Sequence, residues 1–89
     1  MRVAVADDAL LIREGLIRVL AGCGIDVVAG VASADELLNV VEEHRPDVAI
    51  VDIRMPPQFT SEGLRAADRL RVTHPELAVL VLSQYKEPA

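Results

Sequence analysis

The sequence predicts an α/β fold, a parallel sheet between helical layers, and three observations carry that expectation. Short apolar runs bounded by turn residues alternate with helical periodicities in the order βαβαβαβ, which calls for a parallel sheet with right-handed crossovers and helices on both faces. The run Val48-Ala49-Ile50-Val51 is uncharged, as a strand covered on both faces should be. Acids follow two of the runs directly: Asp7 and Asp8 after Val3-Ala4-Val5-Ala6, and Asp52 after Val51. Open α/β sheets place their ligands at such strand ends.

Each element has a local cause. Arg2 to Ala6 reads as a buried strand. Ile12, Leu16, Val19 and Leu20 recur at helical spacing and predict an amphipathic helix ending around Gly22 or Gly24. Ile25 to Ala32 is the second strand. Ser33-Ala34-Asp35-Glu36 fits the S-x-x-E capping box, in which Ser33 and Glu36 satisfy amides at the start of a helix carrying Leu37, Leu38 and Val41. Pro46 stops that helix, and Asp47 to Val51 is the third strand, running into Asp52. Pro56-Pro57 forbids regular structure. Thr60 or Ser61 can cap a third helix with Gly63, Ala66, Ala67 and Leu70 on one face, and Pro75 follows it. Leu77 to Leu82 is the fourth strand.

Composition excludes several classes. At 89 residues the chain is one domain at most, with a modest core. It is 52% hydrophobic, yet no apolar stretch approaches the roughly 20 residues that span a bilayer, so a soluble chain is expected, without membrane contact. Met1 runs into a strand pattern with no secretory segment, which points to the cytoplasm. A net charge of −5 argues against this segment binding nucleic acid by itself. Cys23 has no internal disulfide partner and reads as a small apolar residue. His44 and His74 read as solvated imidazoles near helix ends, and Glu42, Glu43, Arg65, Arg69 and Arg71 as solvated helix faces.

With the first strand beside the third, Asp7 and Asp8 meet Asp52 across the crevice. Three carboxylates that close repel one another, and a hard divalent cation with oxygen ligands resolves the repulsion; inside a cell that cation is Mg²⁺. Such a cation can also hold phosphoryl oxygens, so an aspartate there can attack phosphorus and form an acyl phosphate. Asp52, alone at its strand end, is the candidate nucleophile, and the Asp7/Asp8 pair the candidate cation grip.

The residues Val5-Ala6-Asp7-Asp8, Val51-Asp52-Ile53-Arg54-Met55-Pro56 and Val81-Leu82-Ser83 together resemble the receiver domain of two-component response regulators, in the NarL/LuxR-type subgroup often joined to a helix-turn-helix. The resemblance runs from Arg2 to the last residue. It implies a three-layer α/β/α, flavodoxin-like (CheY-like) sheet of order 2-1-3-4(-5), here lacking the last α4-β5-α5 portion. Residues 1–89 would then be the N-terminal part of a single, incomplete receiver domain. It further implies that Asp52 is the phosphoacceptor, Asp8 a direct metal ligand and Asp7 its water-mediated partner. The backbone carbonyl of Arg54 completes the metal contacts, and Ser83 is the hydroxyl that senses the phosphoryl group. The donor is a sensor histidine kinase, the cofactor Mg²⁺, and the output transcription control through a DNA-binding domain outside this segment.

Some positions depart from the family pattern. The loop between Asp52 and Gly63 is longer than usual, which makes Pro57 to Thr60 a subgroup-specific surface, and Gln84 replaces a small residue. The family's lysine lies beyond Ala89; Lys86 sits too close to Ser83 to replace it. The 89-residue chain is therefore expected to label weakly or not at all. Its uncharged fourth strand becomes an edge that invites pairing, so the chain is either a piece of a longer regulator or a homodimer or oligomer that covers the strand. Tyr85 reads as a loop aromatic. No enzymatic turnover is expected beyond slow self-dephosphorylation. An aspartyl-phosphate hydrolase would carry a second acid where Arg54 stands, and a nucleotide-binding domain would carry a glycine-rich loop after the first strand. The alternative function is a phosphorylation-independent interaction or dimerisation domain.

Overall fold

The computed structural model describes residues 1–53 and 62–82. They form β1 (Arg2–Ala6), α1 (Leu10–Gly22), β2 (Asp26–Val31), α2 (Ala34–His44), β3 (Val48–Asp52), α3 (Glu62–Thr73) and β4 (Ala78–Leu82). All pairings are parallel and the strand order is β2-β1-β3-β4, the order expected from the sequence, with β4 at one edge. Thr60 and Ser61, either of which was expected to cap α3, lie outside the described residues.

Period-two alternation divides the strand residues between two apolar layers. Ala4, Ala6, Ala49 and Val51 point to one face, where they pack with Leu37 and Val41 of α2 and Ala66 and Leu70 of α3. Three of those four strand residues are alanines, which lets the helix backbones sit close to the sheet. Val3, Val5 and Ile50 point to the other face, where α1 is the one helix among the described elements. The α3 face expected from the sequence is the face that is buried: Gly63, Ala66, Ala67 and Leu70.

The inward face of α1 differs from the expected one. Leu16 and Leu20 do pack on the sheet, but Ile17 joins them, whereas Ile12 and Val19 are exposed, Val19 at 64%. Apolar residues cover more than half of this helix, so periodicity allowed more than one inward face. Gly30 on β2 sits beneath this face: a β-carbon there would lie 2.8 Å from Ile17 Cδ1, so the bare glycine leaves room for Ile17.

The α2 boundaries follow from side-chain chemistry. Ser33 Oγ accepts the Glu36 amide at 3.3 Å, as the capping motif requires, while its hydroxyl donates to Glu36 Oε1 at 3.0 Å. At the other end Arg45 turns left-handed, with φ 49°, ahead of Pro46, and the Arg2 guanidinium donates to the freed His44 carbonyl at 2.6 Å. His74 is not the solvated imidazole expected. Its Nε2 lies 3.0 Å from Glu42 Oε2, and its Nδ1 lies 2.8 Å from Thr73 Oγ1, so it bridges α3 to α2.

Burial assigns different costs to two leucines. Leu37 is fully buried between α2 and the sheet, so Leu37→Ala should lower the unfolding free energy by about 2–5 kcal/mol in urea titration. Leu11 is 86% exposed, and Leu11→Ser should change it by no more than about 0.5 kcal/mol.

Candidate functional site

The acid site is a product of register. Ala6 of β1 pairs with Val51 of β3, so Asp7, just past the end of β1, lies level with Asp52, the last residue of β3. Asp7 is then held at several points. Its amide donates to the Val31 carbonyl of β2 at 3.0 Å, and its Oδ1 accepts the Ala9 amide at 2.9 Å. The second bond satisfies a donor just ahead of α1, whose N-cap, Ala9, has no side chain able to cap. Asp7 therefore does a capping acid's work as well as contributing to the cluster.

Asp52 closes the site from β3. It pairs with Leu82 of β4, and the following amide, Ile53 N–H, donates to the Leu82 carbonyl at 3.2 Å. The Ile53 carbonyl in turn accepts the Gly63 amide at 2.8 Å, so α3 starts against the end of β3.

Asp7, Asp8 and Asp52 come together as the sequence predicted. One carboxylate oxygen from each can be chosen so that all lie within 4.8 Å of one another. Asp7 is 1% exposed and Asp52 6%, while Asp8 is half-buried and gives the cluster access to solvent. Like charges repel at such separations, more strongly where protein displaces water. An all-oxygen donor set with partial solvent access fits a hard divalent cation that keeps some of its waters. Of the other expected site residues, Arg54 and Ser83 lie outside the described residues, as do Pro57 to Thr60, Gln84, Tyr85 and Lys86. Cys23, at the C-cap of α1, is exposed with a free thiol.

Gly63 has a role that its place on a helix face did not reveal. A β-carbon there would collide with the Asp52 backbone carbonyl and approach the Ile53 carbonyl to 2.8 Å. The missing side chain is what lets α3 begin directly against the strand that presents Asp52. A glycine in the first turn of a helix, where it weakens the helix, was the available signal.

Comparison with known proteins gives a consistent picture. The family described as the response regulator receiver domain matches residues 3–89. The oxygen regulatory protein NreC of Staphylococcus haemolyticus is 35% identical over 88 residues, covering 98% of this chain and 40% of that protein. The probable transcriptional regulatory protein NarL of Mycobacterium tuberculosis is 37% identical over 90 residues, covering 100% of this chain and 40% of that one. The chain thus spans about two fifths of the length of these curated relatives. The solved signal receiver domain of the putative response regulator NarL from Mycobacterium tuberculosis superposes with a TM-score of 0.84 at 36% identity, covering 98% of this chain and 68% of that one. No helix among the described residues is long and apolar enough to cross a membrane.

The same substitution should have opposite signs at two glycines. Gly63→Ala should destabilise the protein by about 1–3 kcal/mol, because α3 or the end of β3 must shift. Gly15→Ala, inside α1 with open space around its β-carbon, should stabilise it by about 0.5–1 kcal/mol. Thermal or urea unfolding of the two variants reads both.

Proposed function

The chain belongs to the response regulator receiver domain family, and on that premise we propose that Asp52 is the phosphoacceptor of a two-component signalling switch. One observation carries the proposal: the ligand atoms of Asp7, Asp8 and Asp52 converge within 4.8 Å at the carboxyl rim of the sheet. A sensor histidine kinase is the donor. An Asp52 carboxylate oxygen attacks the phosphorus of the kinase phosphohistidine, the new O–P bond forms as the N–P bond breaks, and the imidazole leaves with the electron pair and takes up a proton.

Asp8 is assigned as a direct ligand of Mg²⁺ and Asp7 as a partner through water, with Asp52 and the Arg54 carbonyl completing the protein contacts. Mg²⁺, when bound, neutralises charge shared by the carboxylates and the incoming phosphoryl oxygens. Asp7 suits an indirect role because its Oδ1 already accepts the Ala9 amide. The switch residue is assigned to Ser83. The pairing of Leu82 with Asp52 supports this assignment, because Ser83 is next in sequence after Leu82. Bonding of its hydroxyl to the acyl phosphate would transmit the new charge to the rest of the domain.

The remaining proposals concern the protein that contains this segment. Residues 1–89 form the N-terminal portion of a receiver domain, and the solved relative, with its additional length, supports that assignment. The output is transcription control, by analogy with the probable transcriptional regulatory protein NarL, with DNA contacted by another domain. The setting is cytoplasmic, and the domain signals rather than turning over a substrate. Where β4 remains an edge, its uncharged backbone pairs with a second copy to give a homodimer or oligomer.

The test uses a chain extended to the length of the solved receiver relative. Acetyl phosphate with Mg²⁺ should give a phosphoryl adduct by intact-mass measurement. The adduct should map to Asp52 and be lost with Asp52→Asn or when EDTA removes the cation. An adduct that persists in Asp52→Asn, or none in the wild-type chain, contradicts the proposal.

A further inference from the structure

Arg13 lies on the sheet-facing side of α1, its stem beside Gly30 of β2. Among the described residues it forms no ion pair. Instead its Nη1 donates to the backbone carbonyl of Asp7 at 2.7 Å, in partly buried surroundings. The aliphatic stem reaches that carbonyl by passing Gly30, where a β-carbon would lie 3.7 Å from Arg13 Cδ and 3.8 Å from Cγ. An arginine stem can bury along apolar surface in this way while its head meets a polar group.

The consequence concerns Asp8. The Asp7 carbonyl belongs to the peptide plane that leads into Asp8, and Arg13 holds that plane from one side. On the other side of Asp8, the Ala9 amide is held by Asp7 Oδ1, and the Ala9 carbonyl accepts the Arg13 amide at 2.9 Å. Asp8, the half-buried member of the cluster, therefore sits between two fixed peptide groups, and the Arg13 guanidinium and backbone both contribute to the clamp.

We infer that Arg13 is a positioning residue that aims the Asp8 carboxylate into the acid cluster by fixing the Asp7–Asp8 peptide plane. The inference rests on the proposed cation site, and it makes a prediction of unusual sign. A guanidinium beside a cation site repels the cation, so an Arg13 that acted through charge alone would weaken binding, and its removal would strengthen it. An Arg13 that acts by positioning strengthens binding, and its removal weakens it. Outer groups that orient metal ligands typically contribute about 10–100-fold in affinity.

The experiment is calorimetric titration of the purified protein with Mg²⁺, comparing wild type with Arg13→Met and Arg13→Lys, with thermal unfolding measured on each. Arg13→Met keeps the stem beside Gly30 and removes the donor; its Mg²⁺ affinity should fall by about tenfold. Arg13→Lys keeps the charge and a donor on a shorter side chain, and its affinity should fall between the two. In the cation-free state, amide exchange at Asp8 and Ala9 should accelerate in Arg13→Met while exchange at Ile50 in β3 is unchanged, a pattern that general loss of stability would not produce.

Equal or tighter Mg²⁺ binding by Arg13→Met overturns the inference while leaving the cation site standing. If Arg13→Met does not fold, Arg13→Leu, which also lacks a donor, takes its place, and equal or tighter Mg²⁺ binding by that variant overturns the positioning role. A wild-type protein that binds no Mg²⁺ removes both the site and the inference.

Discussion

The parallel pairing of β1 with β3 is the constraint on which the rest depends. Val3 through Ala6 run level with Val48 through Val51, so the residues next along each chain, Asp7 and Asp52, share one rim. A slip of one residue along either strand would exchange its two faces and move its acid out of step with the other. Burial resists such a slip: Val3, Val5 and Ile50 belong to one apolar layer and Ala4, Ala6, Ala49 and Val51 to the other. The packing that stabilises the sheet therefore also fixes the site.

Around that constraint the described structure is unequal on its two faces. Two helices cover the alanine-rich face, and α2 is tied down at both ends by Ser33 and Arg2. The other face carries α1 alone among the described elements, with Leu11 and Val19 directed to solvent and Leu80 of β4 exposed. The acid site lies at the junction of the two layers. Gly63 brings α3 against the end of β3 from one side, and Arg13 brings α1 against the end of β1 from the other.

Most of the fold was legible because its signals are local and repeat. The strands are short apolar runs, Ser33 and Glu36 announce α2, and the small residues of α3 fall on one helical face that proves to be the buried one. The acid triad was legible from strand ends alone, given parallel topology. What escaped depends on atoms of a second element. The inward face of α1 includes Ile17 above the bare Gly30 on β2, and helical periodicity in α1 carries no record of that glycine. Arg13 looks like any solvated helix charge until the Asp7 carbonyl is placed beside it. His74 looked solvated for the same reason, since its partner Glu42 lies on another helix.

The proposed site is one cation held by Asp7, Asp8 and Asp52 together, rather than three neighbouring acids. Diffraction from crystals soaked in Mn²⁺, recorded at a wavelength where manganese scatters anomalously, tests it most directly. A single anomalous peak is expected at the rim within about 2.0–2.3 Å of carboxylate oxygens of Asp8 and Asp52, with Asp7 one water further away. A rim with no peak, or a peak bound by other residues while these three carboxylates keep their places, would contradict it.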